Sequence, residues 1–152
     1  MYSQALEPPT LDDRTMVTMP AKPTALDIAL RLLPALACMG VIFFLSHQSK
    51  LPEVPSLSGQ VVSVLGHFSV YFALAALTWW ALGIFDLSGR QRIGLAFAIA
   101  LFYGISDEWH QSFIPGRTPD WRDVLTDAIG AACGLWVVTR LARSKTFGWL
   151  LS

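Results

Sequence analysis

The sequence predicts an all-α fold, an integral membrane four-helix bundle with a polar pocket at the outer face. Three observations carry this. Hydrophobic residues make up 53% of the 152 residues and charged ones 14%, against about 25% charged in soluble domains. The apolar residues fall into four runs of helical length. The acids of the third and fourth runs gather at one end of each. Eleven basic residues cancel eleven acidic ones, which excludes a basic nucleic-acid binder, and the apolar content excludes a disordered chain. Two isolated cysteines exclude a disulfide scaffold and a CxxC zinc or redox site. Cys38 and Cys133 lie within apolar runs and read as small hydrophobes.

Residues 1–26 are polar and proline-rich and are expected to form a flexible cytoplasmic tail, residues 27–142 the membrane domain, and residues 143–152 an interfacial C-terminal tail. Residues 35–38 have the outline of a lipoprotein cleavage box, but the apolar run continues through residues 39–45, so cleavage is rejected. The first helix is expected over residues 28–45 and the second over residues 61–85, with His67 inside it. The third begins at Ile93 and stays uncharged only to Ser106, which is 14 residues. That is ~21 Å of helix, short of the ~30 Å hydrocarbon core. To span, it must continue through Asp107 and Glu108 toward Pro115-Gly116, a chain-reversing pair. Asp107 would then lie about 10 Å inside the helix end. The fourth helix, residues 121–141, carries Asp127 about two turns in, and Asp120 or Asp123 is placed to cap it. Carboxylates at that depth are tolerated only against a wet or paired interior, so the helix ends must build a shared polar pocket.

Basic residues indicate orientation. Arg14, Lys22, Arg31, Arg90, Arg92, Arg140, Arg143 and Lys145 fall on one side, and Lys50, Arg117 and Arg122 on the other. Both termini are therefore expected in the cytoplasm, with the first and third loops outside. Trp79 and Trp80 would mark the inner interface, Trp109 and Trp121 the outer, and residues 147–151 an inner-surface anchor.

Gln60, Ser63, His67, Tyr71, Leu74 and Thr78 recur at helical spacing and form one face of the second helix. Tyr103, Asp107, His110, Gln111 and Ile114 share a face of the third, with Glu108 about 100° from Asp107. On the fourth, Asp123 and Asp127 lead into Gly130 and Gly134, a GxxxG pattern that admits a close neighbour. The neighbour expected is the third helix. Ser46, His47 and Gln48 lie where the first helix emerges on the same side.

The run Asp107-Glu108-Trp109-His110-Gln111-Ser112-Phe113-Ile114-Pro115-Gly116-Arg117 resembles the signature of the VanZ-like membrane proteins. In that signature DE-x-HQ leads to P-G-R, then to an Asp near the head of the last helix and a GxxxG. Asp123, Asp127, Gly130 and Gly134 match the continuation; His67 with Tyr71, and Ser46 with Gln48, match earlier elements. Val64 stands where the family often has Lys. The resemblance covers about residues 28–140 and implies a four-helix protein of the bacterial plasma membrane, in a family named for a protein that raises resistance to teicoplanin.

Three functions compete. A module that binds or modifies an envelope component would take its headgroup with Arg117, Gln111, Tyr71, Asp123, Asp127, Ser46 and Gln48. Arg117 suits an anionic group, or else locks the turn by pairing with Asp120 or Asp123. A small intramembrane enzyme would use Asp107 or Glu108 as general base and His67 or His110 as proton donor. An accessory subunit would use the same groups only to fasten helices. Asp107, Glu108, Asp127 and an imidazole are also donors for a divalent cation. No tight metal spacing is present, however, and neutralisation of the acids by Arg117 and Arg122 accounts for them equally well, so no cofactor is predicted. The partners expected are the lipid bilayer and a lipid-linked component or membrane protein, with no nucleic acid.

Overall fold

Each helix begins where a side-chain oxygen meets the free N–H groups of its first turn. In the computed structural model, which describes residues 22–49 and 58–144, the order is α1 (Ala25–Ser46), α2 (Gly59–Ala81), α3 (Gly89–Gln111) and α4 (Trp121–Ala142). Thr24 and Asp27 form a capping box at α1, Ser88 and Gln91 another at α3. Ser58 accepts from Val61 N at α2, and Asp120 from Arg122 N at α4. The anchor expected at residues 147–151 and most of the N-terminal tail lie outside the described residues, as do Lys50 and Lys145.

The four-helix expectation holds, with shifted boundaries, most clearly in the second and third helices. The second helix proper stops at Ala81 and closes in a single 3-10 turn, Leu82–Ile84. The third starts four residues before Ile93, because the Ser88 capping box outweighs the charges that follow it, and it ends at Gln111 rather than near Pro115. Its 23 residues make ~34 Å, so the apparent shortfall in length disappears. Asp107 lies one turn from the helix end, about 6 Å, not two. Phe113 N and Ile114 N then bond to His110 O and Gln111 O, and Gly116 turns the chain at φ 84°, a conformation that favours glycine.

α2 is the central helix, packing most extensively on α4 and also on α1 and α3. The core joins Ile42, Tyr71, Leu74, Ala75, Trp79, Ala96, Ala100, Ala131 and Leu135. Gly130 and Gly134 do not face α3 as expected. A Cβ at either would strike the backbone of Phe68 or Phe72, so the GxxxG stripe brings α4 against α2. α3 contributes its own small residue, Gly104, against Asp127 and Tyr71. Spacing along one helix identifies the stripe but not which neighbour fills it.

α1, α2 with its closing turn, and α4 are long and apolar enough to cross a membrane. α1 leaves Leu26, Leu30, Leu33, Leu36, Val41 and Phe44 exposed, a surface suited to lipid. The two ends of the bundle differ. At the basic end Arg92 donates to Trp79 O (2.6 Å) and Trp80 O (3.3 Å), and Arg31 to Trp80 O (3.3 Å). Their guanidinium groups lie 3.6 Å from the Trp79 ring centroid and 4.7 Å from that of Trp80. α2 has no basic residue in its own last turn, so α1 and α3 supply the cations its C-terminal carbonyls favour. Trp79 is buried in the core beneath Arg92. Trp109 and Trp121, at the opposite end, are exposed.

Candidate functional site

The polar end is where α1 and α3 finish and α2 and α4 begin. α3 presents two consecutive acids there, and the 100° between successive helical residues sends them to different neighbours. Asp107 faces α1: its Oδ2 accepts from Ser46 Oγ at 2.8 Å and from Gln111 Nε2 at 3.0 Å. Glu108 faces α4, its Oε2 accepting from Asp120 N at 2.9 Å. Both carboxylates are buried, as are Ser46 and Gln111. The acids deep in the helices therefore do not stand in bulk solvent.

Asp127 is buried at 1% exposure, and its Oδ1 lies 2.9 Å from His67 Nδ1. The other ring nitrogen, Nε2, is 3.8 Å from Asp123 Oδ2. His67 stacks nearly parallel to Tyr71, with centroids 6.5 Å apart and 3° between planes. Three buried oxygens of this cluster have no protein partner: Tyr71 Oη, Glu108 Oε1 and Asp127 Oδ2. Buried polar groups are normally satisfied, so these three oxygens keep capacity for a further partner.

Beside this cluster lies a cavity of about 210 Å³ between α1 and α2. Ile42, Leu45, Val62 and Val70 form apolar walls; Ser46, His67, Tyr71, Asp107, Gln111 and Arg117 supply the polar groups. Such a cavity suits an amphiphile. Arg117 Nε donates to Gln48 O and Nη2 to Leu45 O, both at 2.9 Å. It thus caps α1, which has no basic residue in its last turn. The turn-locking pair with Asp120 or Asp123 does not form. Ion pairs described at this end join His67 to Asp123 and Asp127, and neither Arg117 nor Arg122 takes part. Neutralisation of the acids by those arginines is therefore not what the fold provides.

Of the residues singled out from sequence, Ser46, His67, Tyr71, Asp107, Glu108, Gln111, Arg117, Asp123 and Asp127 gather in or beside the pocket. Two do not. His110 stacks on Phe43 and meets His47 Nδ1 at 3.4 Å through its Nε2, on the α1 side and away from the Asp127 cluster. Gln48 turns its side chain back to Phe44 O (3.0 Å) and offers only its backbone carbonyl to Arg117. Sequence reasoning missed Gly104, where a Cβ would come within 3.0 Å of Asp127 Oδ2 and 3.4 Å of Tyr71 Cε1. A glycine inside an apolar helix was the available signal.

Comparison with known proteins agrees with the sequence signature. A family model described as VanZ/LLP1 matches residues 31–143. The chain belongs to the VanZ/LLP1 family. The match includes the whole polar end, from Ser46 through the acids of α3 and α4. Over 82 residues this VanZ/LLP1 chain is also 32% identical to an uncharacterized protein of Schizosaccharomyces pombe, covering 53% of the chain and 49% of that protein. The chain thus spans about half the length of the curated relative it matches. No solved structure matches it.

Proposed function

We propose that the protein binds a membrane-anchored amphiphile at the polar end, taking its headgroup into the pocket while its chain lies along the α1–α2 crevice. The carrying observation is the cavity itself, with apolar walls on two helices and His67, Tyr71, Asp107, Gln111 and Arg117 converging on it. Acids outnumber cations there, and two of the Arg117 donor nitrogens already serve backbone carbonyls at and just beyond the end of α1. This favours a headgroup rich in hydroxyl or amine donors over a purely anionic one. The charge bias between the two ends supports a cytoplasmic basic end and an outward polar end. In a bacterial plasma membrane the ligand would be an outer-leaflet envelope component. Resemblance to VanZ adds teicoplanin susceptibility of an expressing host as a cellular readout.

The test is lipid retention. Gly66 lines the pocket, and a Cβ there meets nothing within 4 Å. Gly66→Leu therefore adds apolar volume to the cavity wall from an uncrowded Cβ. Purified wild-type chain should retain a defined amphiphile detectable by native mass spectrometry, and Gly66→Leu should lose it while unfolding at the same temperature or higher. Equal retention by both proteins would reject the reading.

A second reading, an enzyme acting on such a headgroup, is favoured by one observation. His67 lines the pocket and is hydrogen-bonded through Nδ1 to Asp127, the arrangement that orients an imidazole for proton transfer. Turnover of a lipid-linked substrate by purified protein, lost in Glu108→Gln, would establish it.

A further inference from the structure

We infer that His67, Glu108 and Asp123 form a binding site for one divalent transition-metal ion, with Asp127 as the residue that orients the His67 ring. One ligand atom from each of the three residues lies within 4.8 Å of the others. Three helices supply them: α2 gives the imidazole, α3 and α4 one carboxylate each. The site arises only in the folded bundle, which is why no short-range metal spacing appears in the sequence.

The surroundings fit a metal better than a salt bridge. A carboxylate can only accept, so Asp127 Oδ1 at 2.9 Å holds the proton on His67 Nδ1 and leaves the Nε2 lone pair toward Asp123 Oδ2 at 3.8 Å, with Glu108 in the same cluster. Carboxylate, histidine and metal in series is the usual way a ligating ring is fixed. Glu108 is held in turn by Asp120 N on Oε2. An imidazolium between Asp123 and Asp127 would use both ring N–H groups, but it leaves Glu108 Oε1, on a residue only 7% exposed, without a partner among the described residues. A metal ion satisfies that oxygen. It also offsets charge, because Glu108, Asp123 and Asp127 around a neutral imidazole carry −3, which one divalent ion reduces to −1. One imidazole with two carboxylates suits Zn²⁺, Mn²⁺ or Fe²⁺; Mg²⁺ and Ca²⁺ favour all-oxygen donors. Three protein ligands leave a position open for water or another donor. The inference rests on the donor set and not on amphiphile binding.

The full chain, purified in detergent and stripped with a chelator, is exposed to ZnCl₂, MnCl₂ or MgCl₂, desalted, and assayed for bound metal. Wild type should retain about one Zn²⁺ or Mn²⁺ per chain and far less Mg²⁺. Glu108→Gln, which keeps an acceptor for Asp120 N, and Asp123→Asn should each retain under ~0.2 equivalents. Asp127→Asn should bind about 10–100-fold more weakly. Amphiphile retention reads the pocket and metal retention reads this donor set, so failure of the pocket reading and failure of this one are separable. Absence of retained metal in wild type, equal retention in Glu108→Gln and Asp123→Asn, or equal retention of Mg²⁺ overturns the inference. If the variants do not fold, the Co²⁺-loaded wild-type spectrum decides. Ligand-field bands of a mixed nitrogen–oxygen site support it, and the spectrum of hydrated Co²⁺ overturns it.

Discussion

His67 is engaged at one ring nitrogen by Asp127 and approached at the other by Asp123, so its removal affects more than its own contacts. Asp127 would keep one oxygen facing Gly104 and lose the only described partner of the other. Breaking a buried pair from one side costs about 3–5 kcal/mol. His67→Ala should lower the thermal unfolding midpoint in detergent far more than His67→Gln, whose amide can still donate to Asp127. An equal loss in both would mean that the hydrogen bond contributes little and ring packing on Tyr71 dominates. At this scale the sequence already indicated His67, Tyr71 and Asp127, because a charged or polar group deep in an apolar helix must face the interior. It misplaced His110, because helical periodicity resolves faces only to about 100° and His47, the group that meets His110, lies just past the end of another helix.

Helices here depend on one another for their ends. α1 and α2 lack basic residues in their last turns, and Arg117 closes the first while Arg31 and Arg92 close the second. Arg117→Lys should therefore fail to replace Arg117, since one ammonium does not reproduce the guanidinium fork that reaches Leu45 O and Gln48 O together. The expected outcome is faster amide exchange over the last turn of α1 in both Arg117→Ala and Arg117→Lys, with α4 unchanged. Glycines give a second contrast between elements. Ala at Gly40 or Gly94 meets nothing within 4 Å and should be neutral or stabilise by up to about 1 kcal/mol. Ala at Gly130 or Gly134 meets the α2 backbone, which cannot rotate away, and should destabilise by about 1–3 kcal/mol or more. Melting curves of the four variants would show whether α2 is the partner of the stripe. The four helices were legible as apolar runs, but the start of α3 was not. Arg90 and Arg92 interrupt hydrophobicity there, whereas the Ser88–Gln91 capping box and the α2 carbonyls that receive Arg92 continue the helix. The target of Arg117 was hidden for a related reason: backbone carbonyls leave no mark in a sequence.

Across the whole molecule, charge is divided between two ends that a membrane would separate. Arg31, Arg90, Arg92, Arg140 and Arg143 belong to the basic end, and Asp107, Glu108, Asp120, Asp123 and Asp127 to the polar end. Basic loops are retained on the cytoplasmic side, so the polar end should face outward. Thr118 and Asp86 are exposed in the loops at opposite ends, and neither caps a helix, unlike Ser58 and Ser88. In a background with Cys38 and Cys133 replaced, Thr118→Cys should react with an impermeant maleimide on intact bacterial cells. Asp86→Cys should react only after permeabilisation. The opposite pattern would place the pocket on the cytoplasmic leaflet and exclude outer-leaflet components as ligands, leaving the fold and the donor cluster untouched. Labelling of both on intact cells would mean that the chain does not separate its two ends across a bilayer. In that case the exposed apolar face of α1, with Leu30, Leu33, Leu36 and Phe44, must be covered by protein instead of lipid.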